Sequence, residues 1–174
     1  MPEITKNQIK QIRLLQQKKY RQEFCQFVVE GEKNVQELVN SYFEIENIYA
    51  ISDFELENYT PEITPITNKQ LSQISKLSSP NKVLAVAKIP AISFNKDMLN
   101  SDLTLVLEDI NDPGNLGTII RTADWYGIKN IVCSPNSVDS FNPKVVQSTK
   151  GSLFRVSVFY QDLKEILAQT EKML

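Results

Sequence analysis

Leu105–Gly127 reads LVLEDINDPGNLGTIIRTADWYG. The apolar run from Leu103 to Leu107 has the length and type of a buried strand. Glu108 and Asp109 follow it, then the turn cluster Asn111-Asp112-Pro113-Gly114. Proline presets one backbone angle and glycine permits a positive φ, so the chain bends sharply here. Asn115 is the predicted N-cap of the helix that follows. Leu116, Ile119, Ile120 and Ala123 recur at the spacing of one amphipathic face, and Gly127 falls where a left-handed C-terminal cap belongs. In α/β sheets, ligands gather at the carboxyl ends of strands, and helix N-termini favour anions such as phosphate. Gly117 is expected to let something approach closely. Arg121 lies off the apolar face and need not be buried. The bend is therefore expected to favour an anion such as phosphate.

The 174 residues suffice for one medium domain or two small ones. A hydrophobic content of 41% and a charged content of 23% fit a globular chain. No apolar run approaches the ~20 residues a bilayer demands, and the N-terminus has no signal-peptide core, so a cytoplasmic location is expected. Cys25 and Cys133 stand far apart, which is neither a disulfide framework nor a metal cluster. The absence of histidine leaves catalysis to carboxylates, Arg, Lys, Tyr or backbone groups. Charge is uneven. Residues 1–22 carry six cations (Lys6, Lys10, Arg13, Lys18, Lys19 and Arg21) against the single acid Glu3, whereas the remainder is acidic. A basic leading segment points to contact with nucleic acid or another polyanion, and these six are the candidate residues for it.

Working outward, residues 5–20 read as a helix with a Thr5/Gln8 capping box. Phe24–Val29 reads as a strand, 32–42 as a helix, Ile45–Ile51 and Ile63–Ile66 as strands. A helix over 69–77, capped by Asn68, and a strand over Val83–Ile89 complete a small three-layer α/β domain at 1–89. The acids between 41 and 67 (Glu44, Glu46, Asp53, Glu55, Glu57, Glu62) are expected on a solvated surface, not at a metal. Residues 90–102 read as a linker. Beyond the central motif, Asn130–Cys133 and Ser152–Phe159 read as strands and Ser134–Ser140 as a polar loop. A helix beginning at Pro143 and a final one over 162–174 complete a parallel sheet with right-handed crossovers.

The string Asp109-x-x-Asp112-Pro113-Gly114-Asn115-Leu116-Gly117-x-Ile119-Ile120-Arg121-Thr122-Ala123-x-x-x-Gly127 resembles the first motif of the SpoU (TrmH) RNA 2′-O-ribose methyltransferases, of the SPOUT or α/β-knot class. VVQSTKGSLFRV, residues 145–156, resembles the same family's next segment. FVVEGEKNVQEL and SSPNKVLAVAKIP look like the substrate-binding domain, of ribosomal-protein type, that precedes it. The resemblance implies an RNA-binding domain over 1–89 and, over 103–174, the first half of a parallel-sheet SPOUT domain. It implies S-adenosylmethionine as cofactor, ribosomal or transfer RNA as partner, a homodimer, and neither metal nor membrane. Arg121 falls at the family's catalytic arginine and Asn115 at its motif asparagine. Asp112, Pro113, Gly114 and Gly117 form the motif turn. Glu108 and Asp109 are candidates to anchor that turn or hold Arg121.

The family's second and third motifs, which make the knot and hold the cofactor, do not occur in these residues. The polypeptide is therefore expected to be an incomplete, inactive portion that binds no cofactor alone, with an unpaired edge strand and uncovered apolar faces. A non-catalytic RNA-binding module is the alternative. A Rossmann-type nucleotide binder is disfavoured because no G-x-G-x-x-G follows the strand.

Overall fold

The computed structural model describes residues 4–52, 54, 56, 62–95, 97–101 and 103–170. Contacts divide the chain into two compact units: Met1–Pro90 with Phe141–Pro143, and Ala91–Ser140 with Lys144–Leu174.

The first unit opens with α1 (Lys6–Leu14), whose Thr5 and Gln8 form the expected reciprocal capping box. The helix does not continue to residue 20. It stops at Leu15, and a second helix, α2 (Lys18–Phe24), starts after Gln17. Cys25, in left-handed conformation at φ 50°, ends α2 and turns the chain into β1 (Gln26–Glu30). The strand thus begins two residues later than its apolar pattern suggests. After it come α3 (Glu32–Val39), β2 (Ile45–Ala50), β3 (Ile63–Pro65), α4 (Asn68–Ile74) and β4 (Val83–Lys88). Thr67, not Asn68, caps α4, because Gln70 at the third helical position completes a capping box with it.

The sheet order is β1-β4-β2-β3, with β4 antiparallel to both neighbours and β3 parallel to β2. Alternation divides its side chains between two faces. Val28, Tyr49, Leu84 and Val86 join Ile12 and Leu15 beside α1 and Leu71 and Ile74 of α4 in one core cluster. On the opposite face α3 packs on β1 and β4 with Val35 and Leu38 buried. Three layers result, as the alternation of elements implies. Lys88 pairs with Glu44 at 2.5 Å and Glu46 at 3.1 Å, so two acids of the 41–67 run serve an exposed ion-pair cluster. Asp53, Glu55 and Glu57 of that run lie outside the described residues.

The second unit contains α5 (Met98–Ser101) within the stretch read as a linker, then β5 (Thr104–Leu107), α6 (Pro113–Trp125), β6 (Asn130–Cys133), α7 (Pro143–Thr149), β7 (Ser157–Tyr160) and α8 (Leu163–Thr170). The predicted third strand over Ser152–Phe159 is half wrong. Ser152–Phe154 forms a 3-10 turn after Gly151, left-handed at φ 94°, and β7 starts only at Ser157. Apolar content alone does not distinguish a buried turn from a strand. The sheet order is β5-β6-β7, all parallel, with Leu105 opposite Ile131 and Ile131 opposite Val158. Leu163 and Ile166 of α8 pack on Val132, with Phe94 and Leu99 alongside. Among the described residues β5 pairs only with β6, and Leu103 and Val106 beside its free edge are 68% and 37% exposed. Cys133 is fully buried and burial pushes its thiol up to about 11, whereas Cys25 is exposed. No helix among the described residues is long and apolar enough to cross a membrane.

Candidate functional site

The strand-turn-helix unit lies at the carboxyl end of β5. Asp112, not Asn115, is the N-cap of α6: its carboxylate accepts a hydrogen bond from Asn115 N–H at 2.8 Å. The reason is Pro113, which takes the first helical position, where its missing N–H costs nothing. Asn115 is the third helical residue and exposed, and no hydrogen bond joins it to Arg121. Gly127 does adopt the left-handed conformation beyond the helix, at φ 73°.

Asp109 anchors the turn. Its backbone is left-handed at φ 49°, a strained conformation for a residue with a side chain. Its N–H donates to Ser134 Oγ at 2.8 Å, and that hydroxyl contacts the Asp109 carboxylate at 3.2 Å. Ser137 Oγ lies 3.1 Å from Ser134 Oγ and accepts from Ile110 N–H at 3.2 Å. Tyr160 extends the tie: its hydroxyl donates to Val138 C=O and accepts from Ser140 N–H, both at 2.7 Å, while burial pushes its phenol up. The residues after β6, read only as a polar loop, thus fix the turn after β5. Serines at that spacing resemble ordinary loop composition, so the sequence carried no signal for this network. Glu108 is exposed and, like Asp109, makes no ion pair with Arg121.

Arg121 is exposed on α6 and makes no hydrogen bond or ion pair among the described residues. Gly117 corrects the expectation attached to it. It is buried, and a Cβ there would lie 2.4 Å from Ser148 Cβ and 3.1 Å from Val145 O. What approaches it is α7, so Gly117 serves helix packing rather than ligand access. At Gly114 a Cβ would meet the capping carboxylate of Asp112 at 3.0 Å, so glycine keeps that cap intact.

Asp124 receives Arg155 through Nε at 3.0 Å and Nη2 at 2.8 Å, tying α6 to the segment after the 3-10 turn. Burial raises the Asp124 carboxyl, but hydrogen bonds from Arg155 and Ser152 prevail and hold it below its ordinary 3.8. A depressed carboxylate stabilises the fold above its unfolded pKa, and that contribution is lost as pH falls through the folded value. The urea midpoint of the second unit is expected to drop below about pH 3.8. Asp124→Asn should remove that part of the acid sensitivity, and an unchanged acid limb would dismiss the pair as its source.

The basic N-terminal residues divide. Lys6, Lys10 and Arg13 line one side of a groove of about 920 Å³ between α1 and α4, with Ser72, Gln73 and Lys76 on the other. Lys18 and Lys19 are exposed, with Lys19 Nζ 5.6 Å from the Tyr20 ring centre. Arg21 is the exception. It is 2% exposed, and its guanidinium donates to Leu15 C=O at 2.9 Å, so it does not face a polyanion. Lys76 was missed because it is a single cation far from the basic segment, brought in only by packing of α4 on α1.

A model of the MRM3-like substrate binding domain matches residues 6–85, and one of the SpoU rRNA Methylase family matches 102–173. A Porphyromonas gingivalis structure, assigned to the TrmH family of RNA methyltransferases, superposes with TM-score 0.84 at 30% identity, covering 99% of this chain and 69% of that one. The chain belongs to the TrmH (SpoU) family. The 23S rRNA (guanosine(2553)-2′-O)-methyltransferase RlmP of Bacillus subtilis is 28% identical to this TrmH-family chain over 165 residues, covering 92% of it and 65% of RlmP. The SpoU methyltransferase AviRb of Streptomyces viridochromogenes, solved with AdoMet, shares the fold at TM-score 0.78 and 22% identity. The chain spans 65% of RlmP and 38% of the Xenopus laevis mitochondrial rRNA methyltransferase 3.

Proposed function

We propose that this chain supplies the RNA-holding domain and the arginine-bearing turn of an S-adenosylmethionine-dependent RNA 2′-O-ribose methyltransferase acting on ribosomal or transfer RNA. The placing of Arg121 carries the reading: exposed, without a partner among the described residues, and nine residues after the aspartate that caps the turn at the end of a parallel strand. Family membership supplies the reaction class. Arginine is a poor general base, so Arg121 grips a phosphate or stabilises negative charge developing on the ribose oxygen rather than taking its proton. Holding the oxygen in line is worth up to ~7–11 kcal/mol in favourable cases. Asn115 is exposed in the first turn of the same helix.

The cofactor would supply a methyl group on a sulfonium. The described residues do not make a fitting site for it. The polar groups at the strand ends (Asp109, Ser134, Ser137 and Tyr160) are hydrogen-bonded to one another or to turn backbone. Calorimetric titration of the 174-residue polypeptide with S-adenosylmethionine is expected to give no saturable heat. Saturable binding would overturn that part of the reading.

RNA is held through the α1–α4 groove by Lys6, Lys10 and Arg13, with Lys18 and Lys19 on α2 adding charge. Phosphate contacts release counterions, so affinity falls with salt. Lys10→Gln with Arg13→Gln should lower the slope of log affinity against log salt by ~1.4 for single-stranded RNA. An unchanged slope would remove the groove from RNA contact. RNA binding without cofactor binding favours the second reading, a non-catalytic RNA-binding module, for this polypeptide.

A further inference from the structure

We propose that Trp125 is a stacking platform for an RNA base, set one helical turn beyond Arg121 so that base and phosphate of neighbouring nucleotides are held together. The inference rests on the RNA reading above and adds a residue to it. Trp125 is 86% exposed and Tyr126 beside it 74%. Trp125 is also the chain's single tryptophan. Tryptophan is highly buried on average, because its ring offers ~150–250 Å² of surface, so full presentation on a regular helix asks for a ligand.

Thr118, Arg121 and Trp125 succeed one another at spacings of three and four, along one exposed stripe of α6. The hydroxyls of Thr118 and Thr122 donate at 2.9 Å to the carbonyls of Gly114 and Thr118. The guanidinium of Arg121 is left as the stripe's charged group. Asp124, the acid three residues on, is held by Arg155 and does not neutralise it.

The helix end is also firm. Gly127 N–H donates to Asp124 C=O at 3.0 Å and Ile128 N–H to Ala123 C=O at 2.9 Å. A Cβ at Gly127 would find nothing within 4 Å, so the space around the residue that ends the helix is open. A rigid aromatic face next to an arginine is how single-stranded RNA is held: the ring takes a base of any sequence and the cation takes the backbone. A protein partner fits less well. Two aromatic rings among threonines and an arginine fall short of the ~800 Å² per side of a stable interface.

The test uses the whole chain and a fluorescein-labelled, mixed-sequence single-stranded RNA decamer. Label anisotropy reports binding, and the tryptophan emission of Trp125 reports stacking in the same titration. Anisotropy is expected to rise together with quenching of the indole. Trp125→Ala should weaken binding about tenfold, Trp125→Phe should retain most of it, and neither should shift the melting temperature. Binding without quenching, or Trp125→Ala at full affinity, overturns the stacking inference and leaves the RNA reading standing. No rise in anisotropy overturns both. A blue shift that grows with protein concentration before RNA is added would assign the ring to a second copy and also overturn it.

Discussion

Arg21→Ala is expected to destabilise the first unit by about 3–5 kcal/mol while leaving RNA affinity to the exposed cations. The guanidinium is buried and closes the C-terminal end of α1, where Leu15 C=O has no further helical N–H to accept from. Truncation leaves that carbonyl buried without this donor, worth about 1–3 kcal/mol. It also empties the volume of a long side chain, comparable to the roughly 2–5 kcal/mol of a Met→Ala change. Arg21→Met restores volume but not the donor, so it should recover part of the loss. Urea unfolding of the three proteins separates the two contributions. A truncated variant within about 0.5 kcal/mol of the parent, the range of an ordinary surface change, would return Arg21 to the surface.

Gly117→Ala should cost the second unit about 2 kcal/mol, on the order of 10 °C in melting. Two effects compete. Alanine is the better helix former by up to about 1 kcal/mol. Against this, the new methyl would lie 2.4 Å from Ser148 Cβ and 3.2 Å from Ser148 C, atoms fixed to the α7 backbone. A rotamer change cannot relieve that contact, so α6 and α7 must part, and overpacking of this kind costs about 1–3 kcal/mol or more. Ser148→Gly in the same chain should recover part of the loss. Thermal melting decides, and a Gly117→Ala protein as stable as the parent would show that the helices yield freely.

These two residues mark where the sequence stops being legible. Local chemistry reads well: the Thr5/Gln8 box, the left-handed Gly127, and a parallel strand ahead of the DPG turn all stand where pattern placed them. The exposed position of Arg121 also follows from helical spacing alone. Most of what failed was decided by a partner distant in sequence. Arg21 looks like one of six surface cations until α2 folds back on the end of α1. Gly117 looks like room for a ligand until α7 fills it. Asn115 and Asp112 are near-equal caps by type, and Pro113 selects between them. Ser134 and Ser137 look like loop filler until parallel pairing of β5 and β6 brings them beside Asp109.

The contrast between the two thiols has a practical consequence. Cys133 is sealed in the middle strand of its sheet and resists deprotonation, whereas Cys25 stands open at the corner between α2 and β1. A maleimide nitroxide added to the native protein therefore attaches at one known place, without mutagenesis. Its line shape would follow the C-terminal end of α2, the helix that carries Arg21, as ligand or denaturant is added.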